Sequence, residues 1–235
     1  MGPPLACMPM ALPAAVLFDL DGTLLDSEDL WWEAECRVIS AWGGTWTRED
    51  QAHCLGGPLE RVTAYMAEHT GTTQPAGDIG RDLLETMESL LRSGDLQWRP
   101  GALELLTECR SRGVPTALVS ASHRRLLDAV ADAVADHPGM PDPAFDVTVA
   151  GDEVDQGKPH PEPYLEAARL LGVDVERCVV IEDSPTGVAS GQSSGAFVLA
   201  VPHLVAIPPH PRRHVVASLE GVSVDDLRTW ASLPG

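Results

Sequence analysis

The sequence predicts an α/β fold in which helices cover both faces of a parallel sheet, with an all-helical segment inserted after the first strand. From about residue 98 onward, short apolar runs rich in β-forming residues alternate with helical patterns. Between about residue 25 and Trp98 the chain shows helical patterns only. At 235 residues it is long enough to bury a substantial core. Strand, helix, strand repetition is typical of a parallel sheet between two helical layers.

The elements of the predicted sheet follow in order along the chain. Strands are expected at residues 14–18, 114–119, 145–149, 178–181 and 197–201. The helices expected between them lie at about residues 101–112, 122–136, 161–171 and 185–194. Because sheets of this kind bind ligands beyond the carboxyl ends of their strands, the residues that follow each strand indicate the function.

The segment between the first two strands is predicted to form a small helical domain. Ser27 and Glu28 begin a helix with an apolar stripe at helical spacing, and further helices are expected at about residues 59–68 and 79–91. The segment has its own aromatic core candidates, which are Trp31, Trp32, Trp42, Trp46 and Tyr65. The predicted domains are therefore a core of residues 1–24 and 98–235 and a helical domain of residues 25–97.

Charge and cysteine content exclude several classes of protein. The chain has 16 Lys and Arg residues against 35 Asp and Glu residues, and its net charge of −19 argues against nucleic acid or an anionic membrane as a partner. No apolar stretch approaches the roughly 20 residues of a membrane helix. The 5 cysteines are widely spaced, and the amino-terminal residues lack the basic start of a signal peptide. We expect a cytoplasmic monomer that acts on a small molecule and whose true start is Met1, Met8 or Met10.

Two carboxylates stand where the first strand gives way to a loop. Asp19 and Asp21 follow the apolar run Ala14–Phe18, and side chains two residues apart in an extended segment project to the same side. A carboxylate can attack phosphorus and form an acyl phosphate, which divides one difficult displacement into two easier ones. The second carboxyl can then handle the proton of the leaving group. The pair is suited to phosphoryl transfer.

The ends of two other strands supply a phosphate cradle and further acids. Ser120 and Ala121 follow the second strand, where a hydroxyl and free backbone N–H groups before a helix can hold phosphate. Ser122 can cap that helix at the same time. Glu182 and Asp183 follow the fourth strand, and beside the acids of the first strand they would form the kind of oxygen site that holds Mg²⁺.

Lys158 is the only lysine in the chain, against 15 arginines among the 16 basic residues. It lies in Gly157-Lys158-Pro159, between the third strand and the helix that follows. A compact ammonium and a planar guanidinium are not interchangeable where a point charge must meet several oxygens. This single use of lysine indicates a specific role at the predicted site.

Taken together, these motifs resemble those of the haloacid dehalogenase superfamily. Asp19-Leu20-Asp21-Gly22-Thr23, then Ser120, then Gly157-Lys158-Pro159, then Glu182-Asp183 are similar to its four ordered motifs, and the likeness runs from about residue 14 to residue 201. The chain most resembles the branch with a helical cap inserted after the first motif, which contains phosphoglycolate phosphatase and β-phosphoglucomutase. The resemblance implies a Rossmann-like core, an Mg²⁺ cofactor and a phosphatase that acts on a small phosphorylated metabolite, such as a sugar phosphate, through an aspartyl-phosphate intermediate.

The resemblance also implies a role for each acid. Asp19 is expected to be the nucleophile and an Mg²⁺ ligand. Asp21 is expected to be the general acid and then the general base, with its backbone carbonyl on the metal. Asp183 would ligate Mg²⁺ directly, and Glu182 would ligate it or hold a metal-bound water.

The phosphate-binding residues implied by the resemblance are Ser120, the backbone N–H of Ala121, and Lys158. Lys158 would neutralise the phosphoryl oxygens and restrain the Asp19 carboxylate. This combination is needed because an acidic nucleophile and an anionic phosphoryl group repel each other. A cation and an ammonium cancel that repulsion, and catalysis then consists mainly of positioning and charge stabilisation.

Three other functions are compared with the phosphatase. Dehalogenases resemble the chain in Asp19 but not in Asp21, so dehalogenation is disfavoured. A sugar-phosphate mutase is disfavoured because Trp31 and Glu60 stand where the mutases have a histidine and an arginine, although Arg61 lies one position from the latter. A non-catalytic phosphate-binding regulator is disfavoured because every motif is intact.

Substrate specificity is expected to depend on the cap loop at residues 53–61. Gly57 and its neighbours would let this loop dip towards the core, where Arg61 could meet a substrate anion. Alternatively, the loop is an ordinary helix connection and Arg61 pairs with a surface acid such as Glu68. His123 flanks the predicted site and could also touch the substrate.

Overall fold

The strands lie in one parallel sheet in the order β3-β2-β1-β4-β5-β6. The structure is a computed structural model that describes residues 11–54, 58–93 and 96–232. In these ranges the strands are β1 Val16–Phe18, β2 Thr116–Val119, β3 Val147–Val149, β4 Val179–Glu182, β5 Phe197–Ala200 and β6 Arg213–Val215. β1 lies inside the sheet and pairs with both β2 and β4. The predicted α/β class with a parallel sheet is confirmed.

The helices form two groups along the chain. Those between β1 and β2 are α1 Glu28–Ala41, α2 Arg48–Cys54, α3 Leu59–His69, α4 Ala76–Ser93 and α5 Ala102–Ser111. Those after β2 are α6 Arg124–Ala135, α7 Glu162–Leu171, α8 Pro185–Ser193 and α9 Val224–Ala231. In the part of the chain described by the structure, no helix is long and apolar enough to cross a membrane.

Alternate residues of β1 pack into the two helical layers. Val16 and Phe18 belong to the apolar cluster that contains residues of α5, α6 and α9, whereas Leu17 belongs to the cluster that contains residues of α7 and α8. All three are fully buried. Because full burial of such a side chain contributes about 1.5–3 kcal/mol, this strand is held firmly from both sides. The loop that follows it is therefore built on a rigid base.

The helical insert packs on one side of the sheet layer. α4 contacts α1 and α3 within the insert and α6 outside it. Glu88 of α4 accepts a hydrogen bond from the Arg125 Nε of α6 (2.8 Å). The two connecting segments run side by side, since the Asp26 N–H donates to the Gln97 carbonyl (2.8 Å). The buried apolar residues of the insert form one continuous cluster with those of α5 and α6, so the domain boundaries at 25 and 97 stay a prediction.

The tryptophans of the insert that were core candidates pack within it. The Trp46 indole N–H donates to Glu35 Oε2 (2.9 Å), and both side chains are buried. The Trp46 ring meets the edge of Tyr65, and Arg48 lies over the Trp32 ring, 3.9 Å from its centroid. Burial raises the pKa of Glu35 to about 7, against the lowering effect of the Trp46 hydrogen bond. These contacts assign the aromatic residues to packing.

One strand and two α-helices of the described residues were not predicted, and each lacks a strong periodic signal. β6 is a half-buried edge strand in a segment rich in proline and basic residues, so it shows no apolar alternation. α2 has seven residues without an apolar stripe. α9 follows a capping box in which Ser223 and Asp226 bond reciprocally, and this spacing was the signal that could have revealed it.

Candidate active site

The candidate active site lies at the carboxyl ends of three neighbouring strands. Asp19 follows β1, Ser120 follows β2, and Glu182 is the last residue of β4. Because β1 lies between β2 and β4, these three ends meet. The Asp19 N–H donates to the Ile181 carbonyl (3.0 Å), which fixes the first residue of the loop. This is the edge where open parallel sheets bind their ligands.

Lys158 connects these strand ends. Its Nζ donates to Asp19 Oδ1 (2.6 Å), to Glu182 Oε1 (2.7 Å) and to the Val119 carbonyl (3.0 Å). All three donors of the ammonium therefore have an acceptor. Burial alone would lower the pKa of Lys158, but attraction to Asp19 and Glu182 outweighs burial and holds this pKa above its ordinary range. The ammonium is charged and held in one orientation.

Three buried carboxylates lie close together at these strand ends. Oxygens of Asp19, Glu182 and Asp183 all lie within 4.8 Å of one another. Gly22, with φ of +86°, makes this approach possible, since a Cβ at this position would lie 2.2 Å from Asp183 Oδ2. A glycine is required both for the left-handed backbone and for the space. A compact set of hard oxygens is the donor set that a cation such as Mg²⁺ takes.

The acids repel each other strongly in this arrangement. Burial and then the charge of Glu182 raise the pKa of Asp19 to about 7, although Lys158 opposes the shift. Burial and then the charge of Asp19 raise the pKa of Asp183 to about 9. One ammonium does not balance three carboxylates at this distance. A divalent cation among these oxygens would relieve the repulsion, so the residues present fit such an ion.

Glu182 is surrounded by hydrogen-bond donors. Its Oε1 accepts from Lys158 and from the Tyr164 hydroxyl (2.8 Å). Its Oε2 accepts from the backbone N–H of Asp183 (3.1 Å) and from both the N–H and the hydroxyl of Ser184 (3.3 and 3.2 Å). A carboxylate has about four lone-pair sites, and these five donors occupy them. The geometry favours Glu182 as a support behind the site over Glu182 as a direct metal ligand.

Asp21 is held by three hydroxyl groups. Its Oδ1 accepts from Ser27 (2.7 Å), and its Oδ2 accepts from Ser122 (2.8 Å) and, at longer range, from Ser120 (3.3 Å). Ser122 was expected to cap the helix after β2, and this expectation is wrong, because His123 is the N-cap of α6. The Ser122 side chain turns to Asp21 instead, so the loop after β2 contacts the acid after β1 directly.

Ala121 and His123 flank this loop. Ala121 is exposed, and no described residue accepts a hydrogen bond from its N–H, so this donor is available to a ligand. Gly151 lets the neighbouring loop approach closely, because a Cβ there would lie 2.1 Å from the Ala121 carbonyl oxygen. His123 Nε2 lies 3.0 Å from Asp152 Oδ2. The structure therefore pairs the His123 imidazole with Asp152, in the loop that approaches Ala121.

Of the cap residues expected to govern specificity, the structure describes Arg61, whose side-chain hydrogen bond is made within the helical insert. Gly57 lies outside the described residues. Arg61 is exposed in the first turn of α3, and its Nη2 donates to the Cys54 carbonyl (3.2 Å). The alternative pairing of Arg61 with Glu68 is not formed. This guanidinium instead joins the end of α2 to the start of α3.

The structure adds three side chains that sequence reasoning left out of the site. Ser27 was treated only as a helix start and Ser122 only as a helix cap, yet both hydroxyls contact Asp21. Tyr164 belongs to the apolar stripe of α7, and its position in that stripe predicts only packing in the core. Serine at a strand end was the available signal for Ser122. No signal in the sequence distinguishes Tyr164 from an ordinary core aromatic.

The structure combines a parallel sheet, a helical insert and acids at the strand ends around one lysine. These features together are typical of one class of hydrolases. The chain belongs to the haloacid dehalogenase-like hydrolases, whose family model matches residues 13–195. Within this family it is a phosphoric monoester hydrolase.

Three similar proteins support membership of this family. Hexitol phosphatase A of Escherichia coli (strain K12) is 35% identical over 195 residues, which are 79% of this chain and 81% of that protein. The crystal structure of CbbY from Rhodobacter sphaeroides in complex with phosphate has a TM-score of 0.81 at 29% identity and covers 92% of this chain and 99% of that one. The crystal structure of a putative β-phosphoglucomutase from Thermotoga maritima has a TM-score of 0.70 at 26% identity, covering 92% and 98%.

Proposed function

We propose that the protein is an Mg²⁺-dependent phosphatase that hydrolyses a small phosphorylated metabolite, a sugar phosphate or similar, through an aspartyl-phosphate on Asp19. The observation that carries the proposal is the contact of Asp19 Oδ1 with Lys158 Nζ at 2.6 Å inside a buried cluster of acids. The ammonium leaves the second oxygen of Asp19 to serve as the nucleophile. It also offsets the charge that an incoming phosphoryl group brings.

Asp19, Asp183 and the backbone carbonyl of Asp21 are the proposed Mg²⁺ ligands, with Glu182 behind them. When bound, Mg²⁺ would neutralise the carboxylates and withdraw charge from the phosphoryl oxygens. Asp183 is kept within reach by Gly22, which leaves room for its carboxylate beside the loop.

The reaction is proposed to proceed in two displacements. In the first, an Asp19 oxygen bonds to phosphorus, the bond from phosphorus to the substrate oxygen breaks, and Asp21 gives that oxygen a proton. In the second, water attacks the same phosphorus, Asp21 takes a proton from the water, and the Asp19 carboxylate is released with inorganic phosphate. Ser120, the Ala121 N–H and Lys158 are proposed to hold the three non-reacting phosphoryl oxygens.

Release of inorganic phosphate from a substrate panel tests this proposal. The panel contains hexitol phosphates, suggested by the similarity to hexitol phosphatase A, together with other sugar phosphates, phosphoglycolate and nucleotides. We expect turnover of at least one sugar phosphate with Mg²⁺, and none with excess chelator. Absence of turnover across the whole panel with Mg²⁺ would refute the proposal.

A sugar-phosphate mutase is the second candidate, favoured by the similarity to the structure of a putative β-phosphoglucomutase. Trp31 and Glu60 still stand against it, since neither can supply the histidine or arginine of the mutases. Product analysis separates the two functions. An isomerised sugar phosphate with little free phosphate would replace the phosphatase by the mutase.

Replacing Asp21 with asparagine is expected to separate the two displacements. With p-nitrophenyl phosphate, whose leaving group needs no proton, Asp21→Asn should give one rapid equivalent of p-nitrophenol and then slow turnover. With a sugar phosphate it should lose about 10²–10⁴-fold in kcat, because general acid catalysis typically contributes that much. Stopped-flow absorbance measures the rapid release of p-nitrophenol, and phosphate release measures kcat with the sugar phosphate. Asp29→Asn, which neutralises an exposed acid in the first turn of α1, is the control. If Asp21→Asn released no rapid equivalent of p-nitrophenol, the proposed separation of the two displacements would be contradicted.

Stabilisation by Mg²⁺ is expected to grow with pH. Asp19 and Asp183 have pKa values raised to about 7 and about 9 from 3.8, so the metal-free folded protein binds protons more tightly than the unfolded chain. The stability that these protons contribute is full below about pH 4 and is lost as pH rises through both raised values. Mg²⁺ requires the carboxylates in their charged form. It therefore binds best at high pH, where the two carboxylates have lost their protons and the stability that those protons contribute.

Thermal unfolding with chelator and with excess Mg²⁺ at pH 6 and pH 8.5 measures this effect. At roughly 100 times its Kd the ion should raise the Tm by about 5–10 °C at the higher pH and by clearly less at the lower. Asp183→Asn should remove most of the shift. A shift of equal size at both pH values would argue against these acids as the ligands.

A further inference from the structure

Tyr164 is a fully buried tyrosine whose hydroxyl points into the active-site network. It lies in the first turn of α7 and has no exposed surface. Its hydroxyl donates to Glu182 Oε1 (2.8 Å), and its ring faces the Lys158 ammonium, with Nζ 4.9 Å from the ring centroid. One side chain thus contacts both the Glu182 carboxylate and the Lys158 ammonium, which stand behind Asp19.

The oxygen that receives this hydroxyl is shared. Glu182 Oε1 accepts from Lys158 Nζ at 2.7 Å and from the Tyr164 hydroxyl at 2.8 Å. The other oxygen, Oε2, is held by the backbone N–H groups of Asp183 and Ser184 and by the Ser184 hydroxyl. The side chain of Glu182 is 1% exposed, so water cannot readily replace a missing donor. Among the described residues, Oε1 itself accepts from these two donors.

We propose that Tyr164 is a positioning residue for phosphoryl transfer, which acts through Glu182 to hold the Lys158 ammonium against Asp19. The inference rests on the proposed function. The phenol hydroxyl donates to Oε1 and so partly offsets the negative charge on this oxygen. Glu182 then attracts Lys158 less strongly, and the ammonium stays against Asp19. The ammonium also lies over the face of the Tyr164 ring, and a cation is attracted to a π face. The residue touches no reacting atom.

Removal of the hydroxyl alone should therefore affect the chemical step more than substrate binding. In Tyr164→Phe the ring and its packing remain, but Glu182 Oε1 keeps only Lys158 as its donor. The ammonium is then drawn towards Glu182 and fits the transition state less well. Interactions that are stronger in the transition state than in the bound substrate lower kcat when they are lost and leave KM nearly unchanged.

The chain offers a matched control, because it has only 2 tyrosines. Tyr65 lies in the helical insert, and its hydroxyl donates to an aspartate, Asp50 Oδ1, at 2.7 Å. Tyr65→Phe removes the same atom and the same kind of hydrogen bond away from the strand ends. Its kcat and KM should stay within about 2-fold of the wild type.

The experiment compares the two variants on the best substrate of the panel. We expect Tyr164→Phe to lower kcat by about 10-fold or more, with KM and the inhibition constant of inorganic phosphate within about 2-fold. Thermal unfolding shows that the assay temperature lies below the transition of each variant. In a double-mutant cycle, Tyr164→Phe should cost little further kcat in a Glu182→Gln background, since the hydroxyl acts through that carboxylate.

A conservative replacement tests whether the phenol itself is what matters. In Tyr65→Phe protein made with 3-fluorotyrosine, the label enters only position 164 and keeps a hydroxyl donor. Its kcat should stay within about 3-fold of the unlabelled Tyr65→Phe protein.

Several results would overturn the inference. These are an unchanged kcat in Tyr164→Phe, a loss confined to KM, a loss that adds fully to that of Glu182→Gln, or a Tyr164→Phe chain that does not fold, which would assign the hydroxyl to stability. Failure of the proposed function is distinct, because it is seen as an inactive wild type. An active wild type with an equally active Tyr164→Phe variant refutes the role of Tyr164 alone.

Discussion

Replacing Asp19 with asparagine is expected to abolish phosphate release, by at least about 1000-fold in kcat. An amide oxygen is a poor nucleophile towards phosphorus, and loss of a covalent nucleophile removes the whole two-step route. The change is nearly isosteric, so the hydrogen bond from Lys158 to Oδ1 can persist. Burial and Glu182 hold the pKa of Asp19 near 7 without metal, so the variant also removes the repulsion at this position and should be no less stable than the wild type.

The covalent step gives a second measurement for Asp19. Acid quenching of the wild type with substrate labelled at phosphorus should trap a protein-bound phosphate that hydroxylamine releases, as an acyl phosphate requires. Asp19→Asn should trap none. Asp82→Asn, which removes a charge from α4 beside Arg81, should behave as the wild type does. Labelled phosphate retained on Asp19→Asn protein would place the nucleophile elsewhere.

Exchanging Lys158 for arginine is expected to be nearly as damaging, although the charge is kept. The lysine side chain is 5% exposed, and its Nζ meets three acceptors within 2.6–3.0 Å. A planar guanidinium is larger than an ammonium and directs its donors into a flat fork, so it cannot meet the same three oxygens. We expect kcat to fall by about 100-fold or more, because electrostatic stabilisation of this kind depends on exact placement of charge.

The reverse exchange at the surface is the control for Lys158. Arg37→Lys in α1 affects an exposed pair with Glu33 and should leave kcat within 2-fold of the wild type. Lys158→Met removes the charge as well as the donors. If Lys158→Arg kept near wild-type kcat while Lys158→Met lost it, charge alone would be sufficient and the positional argument would be wrong.

The strand-end residues could be predicted because their pattern is local. Asp19 and Asp21 directly follow an apolar strand, and the single lysine stands out by composition, so their position at one edge of the sheet could be inferred without coordinates. The parallel sheet then follows from the alternation of elements, and with it the meeting of residues that are far apart in sequence. The same reasoning extends to Glu182 and Asp183, whose strand is fully buried.

The remaining features depend on side-chain direction, which sequence does not contain. Whether Ser122 caps a helix or turns to Asp21 is decided by the bend of the loop, since a serine hydroxyl suits either use. Tyr164 satisfies the apolar stripe of α7 whether or not its hydroxyl reaches an acid. β6 is an edge strand that pairs with β5 on one side only, and its residues are half-buried. Such a strand can form without a regular alternation of apolar and polar residues, so its sequence gives little signal.

The central place of β1 in the sheet has a consequence for how the protein is made. Asp19 directly follows the first strand, but its contact with Lys158 spans 139 positions and β4 is completed only at Glu182. During synthesis from the amino terminus, β1 must wait for a neighbouring strand that emerges much later. A chain interrupted before β4 therefore contains Asp19, the proposed nucleophile, without Glu182 and Asp183, so the proposed activity requires most of the protein to have been synthesised.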